Sequence, residues 1–278
     1  KGQLGLELVS LESDFQNYTF FFTDKNNLDI TNFNAISTFI SENNIDIIIN
    51  CAAYTNVDKA EDELVLANEI NYLAVENLAK IAAEHRLKLI HISTDYVFDG
   101  ASKIPYVEAS ETKPQNVYGA SKLKGEQALL SVNPNNSAII RTSWLYSNFG
   151  KNFVKTILRL SGEKESISVV SDQIGSPTNA HDLATTILQI IPLLKSNGVQ
   201  TYHYANAGEC SWFQFAEEIV KQAKHNCTVV PITSETFKTS TKRPEFSLLN
   251  TEKIQETFQL SIPHWKVSLQ HCIEKLNK

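Results

Sequence analysis

A tyrosine and a lysine four residues apart are the clearest candidates for acid–base chemistry in the sequence. Tyr118 and Lys122 open a predicted helix over residues 118–130, and their i,i+4 spacing puts both side chains on one face. An ammonium group there would favour the phenolate and lower a tyrosine pKa that starts at about 10. The phenol could then act as a general acid–base at neutral pH. A surface helix with its lysine in water would show the same short pattern.

Two polar residues at the end of a predicted strand favour the chemical interpretation. The strand covers residues 87–94 and ends at Thr94, 24 positions before Tyr118, and Asp95 follows it directly. Sites in open α/β folds lie at the carboxyl ends of parallel strands. A Thr–Asp pair can also simply cap the next turn, but its place ahead of the Tyr–Lys pair predicts a shared site.

Two further segments suit a bound nucleotide. Gly2 and Gly5 resemble the second half of a glycine-rich turn that seats a pyrophosphate on a helix N-terminus, and a helical pattern follows them. Because the chain contains no Met, we expect the native protein to begin upstream of Lys1, with the strand and the first half of that turn. Residues 50–53 (NCAA) end another predicted strand in small side chains, which let a flat cofactor approach the sheet edge.

The elements that must position these residues alternate between strands and helices. Short strands rich in β-branched residues are predicted over 45–53, 87–94 and 137–144. Amphipathic helices are predicted over 64–84 and 118–130. This alternation predicts an α/β fold of Rossmann type, with right-handed crossovers and a doubly wound parallel sheet.

Beyond residue 147 the alternation loosens, and a smaller α+β region is predicted. The sequence favours a helix at 153–160, a strand at 168–170 and a helix at 182–194. No stretch has the length and composition of a linker between independently mobile domains. We therefore expect the two regions to share a cleft.

Composition limits the classes of function. The 278 residues are 42% hydrophobic and 20% charged, which is ordinary globular composition. The formal net charge of −6 argues against nucleic acid or an anionic membrane as partner, and no apolar run approaches the roughly 20 residues of a membrane span. Four scattered cysteines without C-x-x-C spacing support neither a disulfide framework nor a zinc site. We expect a cytoplasmic protein with no bound metal.

Taken together, these segments resemble the extended short-chain dehydrogenases/reductases, and among them the dTDP-4-dehydrorhamnose reductase family. The resemblance rests on residues 2–5 (GQLG), 50–58 (NCAAYTNVD), 93–98 (STDYVF), 118–122 (YGASK), 141–146 (RTSWLY) and 172–178 (DQIGSPT). Further matches are Ser211-Trp212 and Arg243-Pro244. The resemblance spans essentially the whole chain, and NCAAYTNVD, STDYVF and RTSW are specific well beyond the superfamily.

The resemblance implies a reductase that uses NADPH or NADH to reduce the C4 ketone of dTDP-4-dehydro-L-rhamnose, forming dTDP-L-rhamnose for cell-wall polysaccharide. It implies that Tyr118 protonates the substrate oxygen, that Lys122 holds the nicotinamide ribose and tunes Tyr118, and that Thr94 hydrogen-bonds the reacting carbonyl or adjusts the pKa of Tyr118. Both coenzymes stay open, because Asp24 would favour a free ribose 2′-hydroxyl whereas Lys25 would suit a 2′-phosphate.

The same resemblance implies two sets of binding residues. The coenzyme set is Gly2, Gln3 and Leu4 at the pyrophosphate, Asp29 and Ile30 at the adenine, and Ala53, Tyr54 and Thr55 at the inner edge, with Tyr118 and Lys122. The set for the dTDP-sugar is Thr94, Asp95, Trp144 and Arg243. Two of these have structural alternatives, since Trp144 could be a core tryptophan and Arg243 could form a salt bridge that closes the C-terminal region.

The resemblance also implies a domain division. Residues 1–147 with about 168–195 would form the NAD(P)-binding Rossmann domain, its first strand missing. Residues 148–167 with 196–278 would form the substrate-binding region. A homodimer stays open.

Other functions on the same scaffold also stay open. One is a different sugar-nucleotide reductase or an epimerase. A dehydratase is disfavoured, because those enzymes place an Asp–Glu pair after the strand-terminal threonine and here Tyr96 follows Asp95. The other is a non-catalytic, NADP-binding regulatory subunit like that of methionine adenosyltransferase, which is also similar to this family.

Overall fold

The computed structural model describes residues 2–237 and 240–277, so Lys1, where the predicted first domain begins, lies outside the described residues. Its strands are β1 (Ile47–Asn50), β2 (Lys88–Thr94), β3 (Ser137–Thr142), β4 (Leu145–Tyr146), β5 (Ser166–Val170), β6 (Ile174–Gly175), β7 (Thr178–Asn179), β8 (Val199–His203), β9 (Cys210–Ser211) and β10 (Thr228–Ile232).

Helices occupy most of the segments between the strands. The α-helices are α1 (Gln3–Ser10), α2 (Phe33–Asn43), α3 (Val57–Ala60), α4 (Leu64–Asn68), α5 (Ala74–His85), α6 (Val117–Val132), α7 (Phe153–Glu163), α8 (Ala180–Ile190), α9 (Trp212–Ala223), α10 (Glu252–Phe258) and α11 (Trp265–Leu276). A π-helical turn, Glu69–Leu73, joins α4 to α5, and 3₁₀ turns cover Glu12–Asp14, Asp95–Val97 and Ile191–Leu193.

Four parallel strands form the main sheet, in the order β1-β2-β3-β8. In their register Asn50 pairs with His91, and Thr94 pairs with Thr142. Because the strands run in one direction, their carboxyl ends meet at one edge of the sheet. The three strands predicted over 45–53, 87–94 and 137–144 are confirmed, each with a shorter span.

Both faces of this sheet are buried under helices. Ile90 and Ile140 lie in one core cluster with α1 and α8, whereas their strand neighbours Leu89 and Ile139 lie in a second cluster with α2 and α5. Successive residues of a strand point to opposite faces, so each face needs its own helical layer. That layering explains why the strands present apolar side chains on both faces, and it confirms the doubly wound parallel α/β fold.

Two glycines let α6 approach its neighbours closely. A Cβ on Gly119 would lie 2.2 Å from the carbonyl oxygen of Tyr96, and one on Gly125 would lie 2.1 Å from that of Asn71. Any side chain at either position would therefore push the helix away. This close packing sets Tyr118 beside the turn that follows β2.

A second group of elements packs beside the main sheet. Strand β5 pairs in parallel with β10 and shares a core with α7, α9 and α11. Sheet membership thus differs from the predicted division: β5 lies outside the main sheet, and β8, from the predicted substrate region, lies inside it. Short apolar strands resemble one another in sequence, and tertiary packing selects their partners. The functional division into domains stays a prediction.

The described residues contain no α-helix that combines the length and the apolar character needed to cross a membrane. All four cysteines are free thiols. Cys210 and Cys272 are buried in the core around α9 and α11, where they pack as small apolar side chains.

Candidate active site

Two of the predicted catalytic residues meet at the carboxyl edge of the main sheet. Thr94 ends β2, and Tyr118 lies in the first turn of α6, whose start is capped by Asn116 through a 2.8 Å bond from the Gly119 N–H. The Thr94 hydroxyl lies near enough to the Tyr118 phenol to favour its ionised form. Thr94 Oγ1 also donates to Asp95 Oδ1 at 3.0 Å. The loop before α6 and the end of β2 therefore build one polar site.

The environment of Tyr118 keeps its phenol protonated. Burial raises the pKa of Tyr118, the Thr94 hydroxyl opposes that rise, and the nearby Asp95 carboxyl adds to it. Helical spacing puts Lys122 on the same face as Tyr118, but its Nζ contacts Ile92 and His91, and burial is the largest influence on the pKa of Tyr118. That Lys122 lowers the pKa of Tyr118 stays a prediction.

Lys122 is a buried lysine rather than a surface one. Its side chain is 1% exposed, and Nζ donates to the carbonyl oxygen of Ile92 at 2.6 Å and lies 3.2 Å from His91 Nε2. Burial lowers the pKa of Lys122 to about 8. A cation is kept in the interior only where it has a function or a complete set of partners, so the surface-helix alternative is excluded.

Asp95 is the fourth polar group of the site. It is 3% exposed, and burial raises its pKa to about 7, a rise that the hydrogen bond from Thr94 opposes. Among the described residues, Asp95 Oδ2 and the neighbouring Ser93 Oγ are buried with no partner at ordinary hydrogen-bond distance, although the nearby Ser247 hydroxyl also opposes the rise in the pKa of Asp95. Such atoms are costly to leave unpaired, and in a site they are free to bind a ligand.

Trp144 lies at the boundary between the two regions. Its backbone takes a left-handed conformation, with φ of 48°, and its indole stacks on that of Trp212 with ring centroids 3.7 Å apart. A Cβ on Gly175 would lie 2.8 Å from this indole. Trp144 is only partly buried, and it packs against the second core without belonging to its fully buried set. Its predicted contact with the sugar stays a prediction.

Arg243 forms the ion pair that was its structural alternative. Its Nη2 lies 2.7 Å from Asp58 Oδ2, and its Nη1 donates to the Tyr96 hydroxyl at 3.2 Å. Asp58 follows β1 and Arg243 lies in the C-terminal region, so the pair ties the two together. The guanidinium side chain is still 23% exposed. Binding of a diphosphate by Arg243 stays a prediction.

The predicted pyrophosphate residues lie at the start of α1. Gly2 is the N-cap with extended backbone and no side-chain cap, and a Cβ there would meet nothing within 4 Å. Gln3 is held by Asn152, whose amide donates to Gln3 Oε1 at 2.8 Å, and Leu4 is buried. A helix start with a glycine N-cap and no capping side chain suits a bound anion, and the contact of Gly2, Gln3 and Leu4 with a pyrophosphate stays a prediction.

The remaining coenzyme residues are spread over two loops. Asp29 accepts hydrogen bonds from the backbone and hydroxyl of Thr31, and Ile30 packs against the core under α2 and α5. After β1, Ala53 is partly buried and Thr55 is exposed. Their contacts with a coenzyme stay predictions.

Sequence reasoning missed Asn71, which lies in the π-helical turn. Its Oδ1 accepts a hydrogen bond from the Tyr54 N–H at 2.9 Å. Its Nδ2 donates to the Tyr54 carbonyl oxygen at 3.0 Å and to Ser121 Oγ at 3.0 Å. One buried side chain thus fixes the loop after β1 against α6. The available signal was an asparagine within the apolar stripe of a predicted helix, often the mark of a buried polar contact.

Comparison with known proteins gives one consistent family. The model described as "RmlD substrate binding domain" matches residues 1–278. The chain is 39% identical over 255 residues to the dTDP-4-dehydrorhamnose reductase of Sinorhizobium fredii, covering 89% of this chain and 86% of that protein.

Solved structures of the same family have the same fold as this chain. A dTDP-4-dehydrorhamnose reductase from Clostridium acetobutylicum superimposes with a TM-score of 0.94 at 39% identity, covering 100% of this chain and 97% of that one. The enzyme from Bacillus anthracis, solved in complex with NADP, gives 0.93 at 41% identity, covering 99% and 96%. With a family model matched end to end and relatives of this identity, the chain belongs to the dTDP-4-dehydrorhamnose reductase family.

Proposed function

We propose that this chain reduces the C4 ketone of dTDP-4-dehydro-L-rhamnose to dTDP-L-rhamnose with NADPH or NADH, and that Tyr118 donates the proton. The observation that carries the proposal is the placement of Tyr118 beside the end of β2: Thr94 ends that strand, Gly119 packs against the Tyr96 carbonyl, and the Tyr96 and Tyr118 rings lie 5.5 Å apart at the carboxyl edge of the parallel sheet. Ligands of open α/β sheets bind at that edge. The family membership agrees with this chemistry, since the relatives named above are dTDP-4-dehydrorhamnose reductases.

The residues present fit a nicotinamide dinucleotide. The uncapped start of α1 offers backbone N–H groups to a pyrophosphate, and Gly2 leaves room for close approach. Small residues after β1 line the path to the sheet edge, and Lys122 lies buried behind it. The Bacillus anthracis relative was solved with NADP, which supports NADPH as the coenzyme here.

In the proposed reaction, this chain positions the ketone and supplies the proton. A bound reduced nicotinamide supplies the hydride that forms the new C–H bond at C4. The Thr94 hydroxyl turns its one proton from Asp95 Oδ1 to the ketone oxygen and so orients that oxygen toward Tyr118. As negative charge develops on that oxygen, Tyr118 transfers its phenolic proton and an O–H bond forms. The tyrosinate that remains takes up a proton from solvent before the next turnover.

The raised pKa of Tyr118 suits this direction of reaction. A reductase needs the phenol protonated when substrate binds, and burial keeps it so across neutral pH. Lys122 would bind the nicotinamide ribose, and Asp95, Trp144 and Arg243 would contact the sugar nucleotide. Activation of Tyr118 therefore rests on charge that develops in the substrate rather than on a phenolate formed in advance.

Two further proposals accompany the function. We place the enzyme in the cytoplasm, where reduced coenzymes and nucleotide sugars are found together. We also propose a homodimer, which sedimentation of the purified protein would test directly.

A coupled test separates this function from its alternatives. Purified protein is mixed with dTDP-4-dehydro-L-rhamnose and either NADPH or NADH, nicotinamide absorbance is followed, and the product is identified by NMR. We expect stoichiometric coenzyme oxidation and dTDP-L-rhamnose. Binding of NADPH with no oxidation would identify a regulatory subunit instead. Turnover without net oxidation, with coenzyme retained through purification, would identify an epimerase.

A further inference from the structure

His91 is a fully buried histidine beside the candidate site that the proposed reaction does not use. It lies in β2, three residues before Thr94, and is 0% exposed. Its Nδ1 is 3.1 Å from Asn50 Nδ2, and its Nε2 is 3.2 Å from Lys122 Nζ. A neutral imidazole has one N–H and one acceptor nitrogen, so it can accept from only one of these two neighbours.

The orientation of Asn50 decides which nitrogen accepts. Asn50 Oδ1 takes the backbone N–H of Ala52 at 3.1 Å, which directs the amide NH₂ group toward His91. Asn50 therefore donates to His91 Nδ1, and the imidazole proton must lie on Nε2. The N–H of His91 then points at Lys122 Nζ, where an ammonium would present a second donor.

A second buried histidine shows the opposite arrangement. His203 in β8 is also 0% exposed and also faces a cation, Arg141. Its Nδ1 lies 3.1 Å from the carbonyl oxygen of Tyr106, a pure acceptor. His203 therefore carries its proton on Nδ1, and Nε2 accepts from the guanidinium at 3.5 Å. His203 thus presents an acceptor nitrogen to the Arg141 cation, whereas His91 presents an N–H donor to Lys122.

We propose that in the coenzyme-free protein at pH 9 His91, oriented by Asn50, is a positioning residue that holds Lys122 as a neutral amine accepting the His91 Nε2–H, and that coenzyme binding at that pH charges Lys122 by drawing in one proton. The neutral amine keeps a lone pair for His91 and an N–H for the Ile92 carbonyl, so each of these contacts is satisfied. The coenzyme step rests on the proposed function, in which Lys122 binds the nicotinamide ribose.

The other groups around Lys122 leave this assignment in place. Cys51, just after β1, keeps its thiol because burial raises its pKa to about 12. Glu126, one turn further along α6, gives both carboxylate oxygens to Arg141 of β3. Burial lowers the pKa of Lys122 to about 8, with Glu126 and Cys51 opposing, and it lowers the pKa of His91 well below its ordinary value.

The first test needs neither a variant nor a coenzyme. Long-range proton–nitrogen NMR of the coenzyme-free protein reports which nitrogen of each buried histidine carries the proton. We expect Nε2–H for His91 and Nδ1–H for His203. A proton on Nδ1 of His91 would overturn the proposal, because the ring would then accept from the ammonium as His203 does.

A variant pair separates tautomer from burial. In His91→Gln the amide oxygen can accept from an ammonium without adding charge, and in His203→Gln the same change is made beside Arg141. NMR of lysine-labelled protein follows the titration of Lys122, which is identified by its loss in Lys122→Met. We expect the midpoint to rise by about one pH unit or more in His91→Gln and to stay in place in His203→Gln. An unchanged midpoint in folded His91→Gln would overturn the proposal.

Calorimetry of NADPH binding at pH 9, in buffers of different ionisation enthalpy, counts protons taken up. We expect uptake of about one proton by the wild-type protein and clearly less by His91→Gln, with about five- to tenfold tighter binding in that variant. Binding without proton uptake would overturn the coenzyme step. Failure to bind NADPH at all would refute the proposed function and the coenzyme step together, while the two NMR measurements would still decide the apo arrangement.

Discussion

Two buried charged sites lie one turn apart on α6, and they are built differently. The Arg141 cluster, Glu126, Arg141 and His203, is complete: Arg141 donates to Glu126 through Nε and Nη2, at 3.0 and 2.7 Å, and to the Glu108 carbonyl. The strand-end cluster, Thr94, Asp95, Tyr118 and Lys122, is incomplete: Asp95 Oδ2 has no partner at ordinary hydrogen-bond distance in the described part of the chain, and Lys122 faces an imidazole N–H in the arrangement proposed above.

The difference separates stability from chemistry. A network in which every polar group has a partner holds β3 and α6 together but leaves no free hydrogen-bonding group for a ligand. A cluster whose polar groups lack hydrogen-bond partners lowers the stability of the folded state. Proteins keep such destabilising clusters at functional sites. The shifted pKa values of Asp95 and Lys122, to about 7 and about 8, are the electrostatic sign of that cost. Substitutions in the two clusters should therefore move different measurements.

The largest effect is expected for Tyr118→Phe in the strand-end cluster. Removing the proposed acid should lower kcat about 10²- to 10⁴-fold and leave NADPH affinity nearly intact. Tyr96→Phe is the matched control, because its ring lies edge-on to Tyr118 at 5.5 Å and its hydroxyl meets Arg243. Steady-state kinetics of both variants test this. Wild-type turnover by Tyr118→Phe would remove it from the mechanism.

The complementary change is Glu126→Ala in the Arg141 cluster. It leaves Arg141 buried and unpaired, which should lower the free energy of unfolding by about 3–5 kcal/mol. The exposed pair of Arg159 and Glu163 supplies the control, since Glu163→Ala should change almost nothing. Urea denaturation measures both. A small loss for Glu126→Ala would mean that the complete network contributes little to stability.

Lys122→Met should weaken coenzyme binding and raise the free energy of unfolding. The folded-state pKa of about 8 lies below the ordinary 10.5, so protonated Lys122 costs stability fully below pH 8, and the cost fades as the pH rises from 8 to 10.5. The variant should be more stable than wild type at pH 7 by about 1–3 kcal/mol, with a gap that narrows above pH 8.

Urea denaturation of Lys122→Met at pH 7 and pH 10, with NADPH titrations at pH 7, checks both effects. Weaker NADPH binding should accompany the gain in stability, because the proposed ribose contact is lost. A variant less stable than wild type at pH 7 would place Lys122 with the complete, stabilising network instead.

The smallest effect concerns Trp144, which lies outside both clusters at the wall between the two regions. Trp144→Ala should raise KM for the sugar nucleotide about tenfold and KM for the coenzyme little, because the indole is proposed to contact the sugar. Trp144→Phe keeps a ring to stack on Trp212 and should recover most of the loss. Equal increases in both KM values with a lower Tm would support a core role.

The sequence by itself determined the architecture and the sheet edge at which the proposed catalytic residues lie. Alternating apolar strands and amphipathic helices predict a parallel sheet covered on both faces, and this pattern is local. Thr94 at a strand end and Tyr118 at a helix start follow from the same pattern, because strand ends converge on one edge. Trp144 was placed in a strand over 137–144, yet β3 ends at Thr142 and a left-handed residue turns the indole toward Trp212.

Only the tertiary structure decided which buried polar groups are partners. Helical spacing joined Lys122 to Tyr118, but Lys122 reaches His91 and Ile92 on another element, 31 and 30 residues away. Asn71 reaches back 17 residues to Tyr54. Likewise β8 rather than β5 completes the main sheet. A hydrophobic pattern repeats within one helix or strand, so the sequence of that element is enough to recognise it. A hydrogen bond between two elements depends on how they pack. Because each polar group has many chemically equivalent partners along the chain, the sequence does not identify the one that it meets.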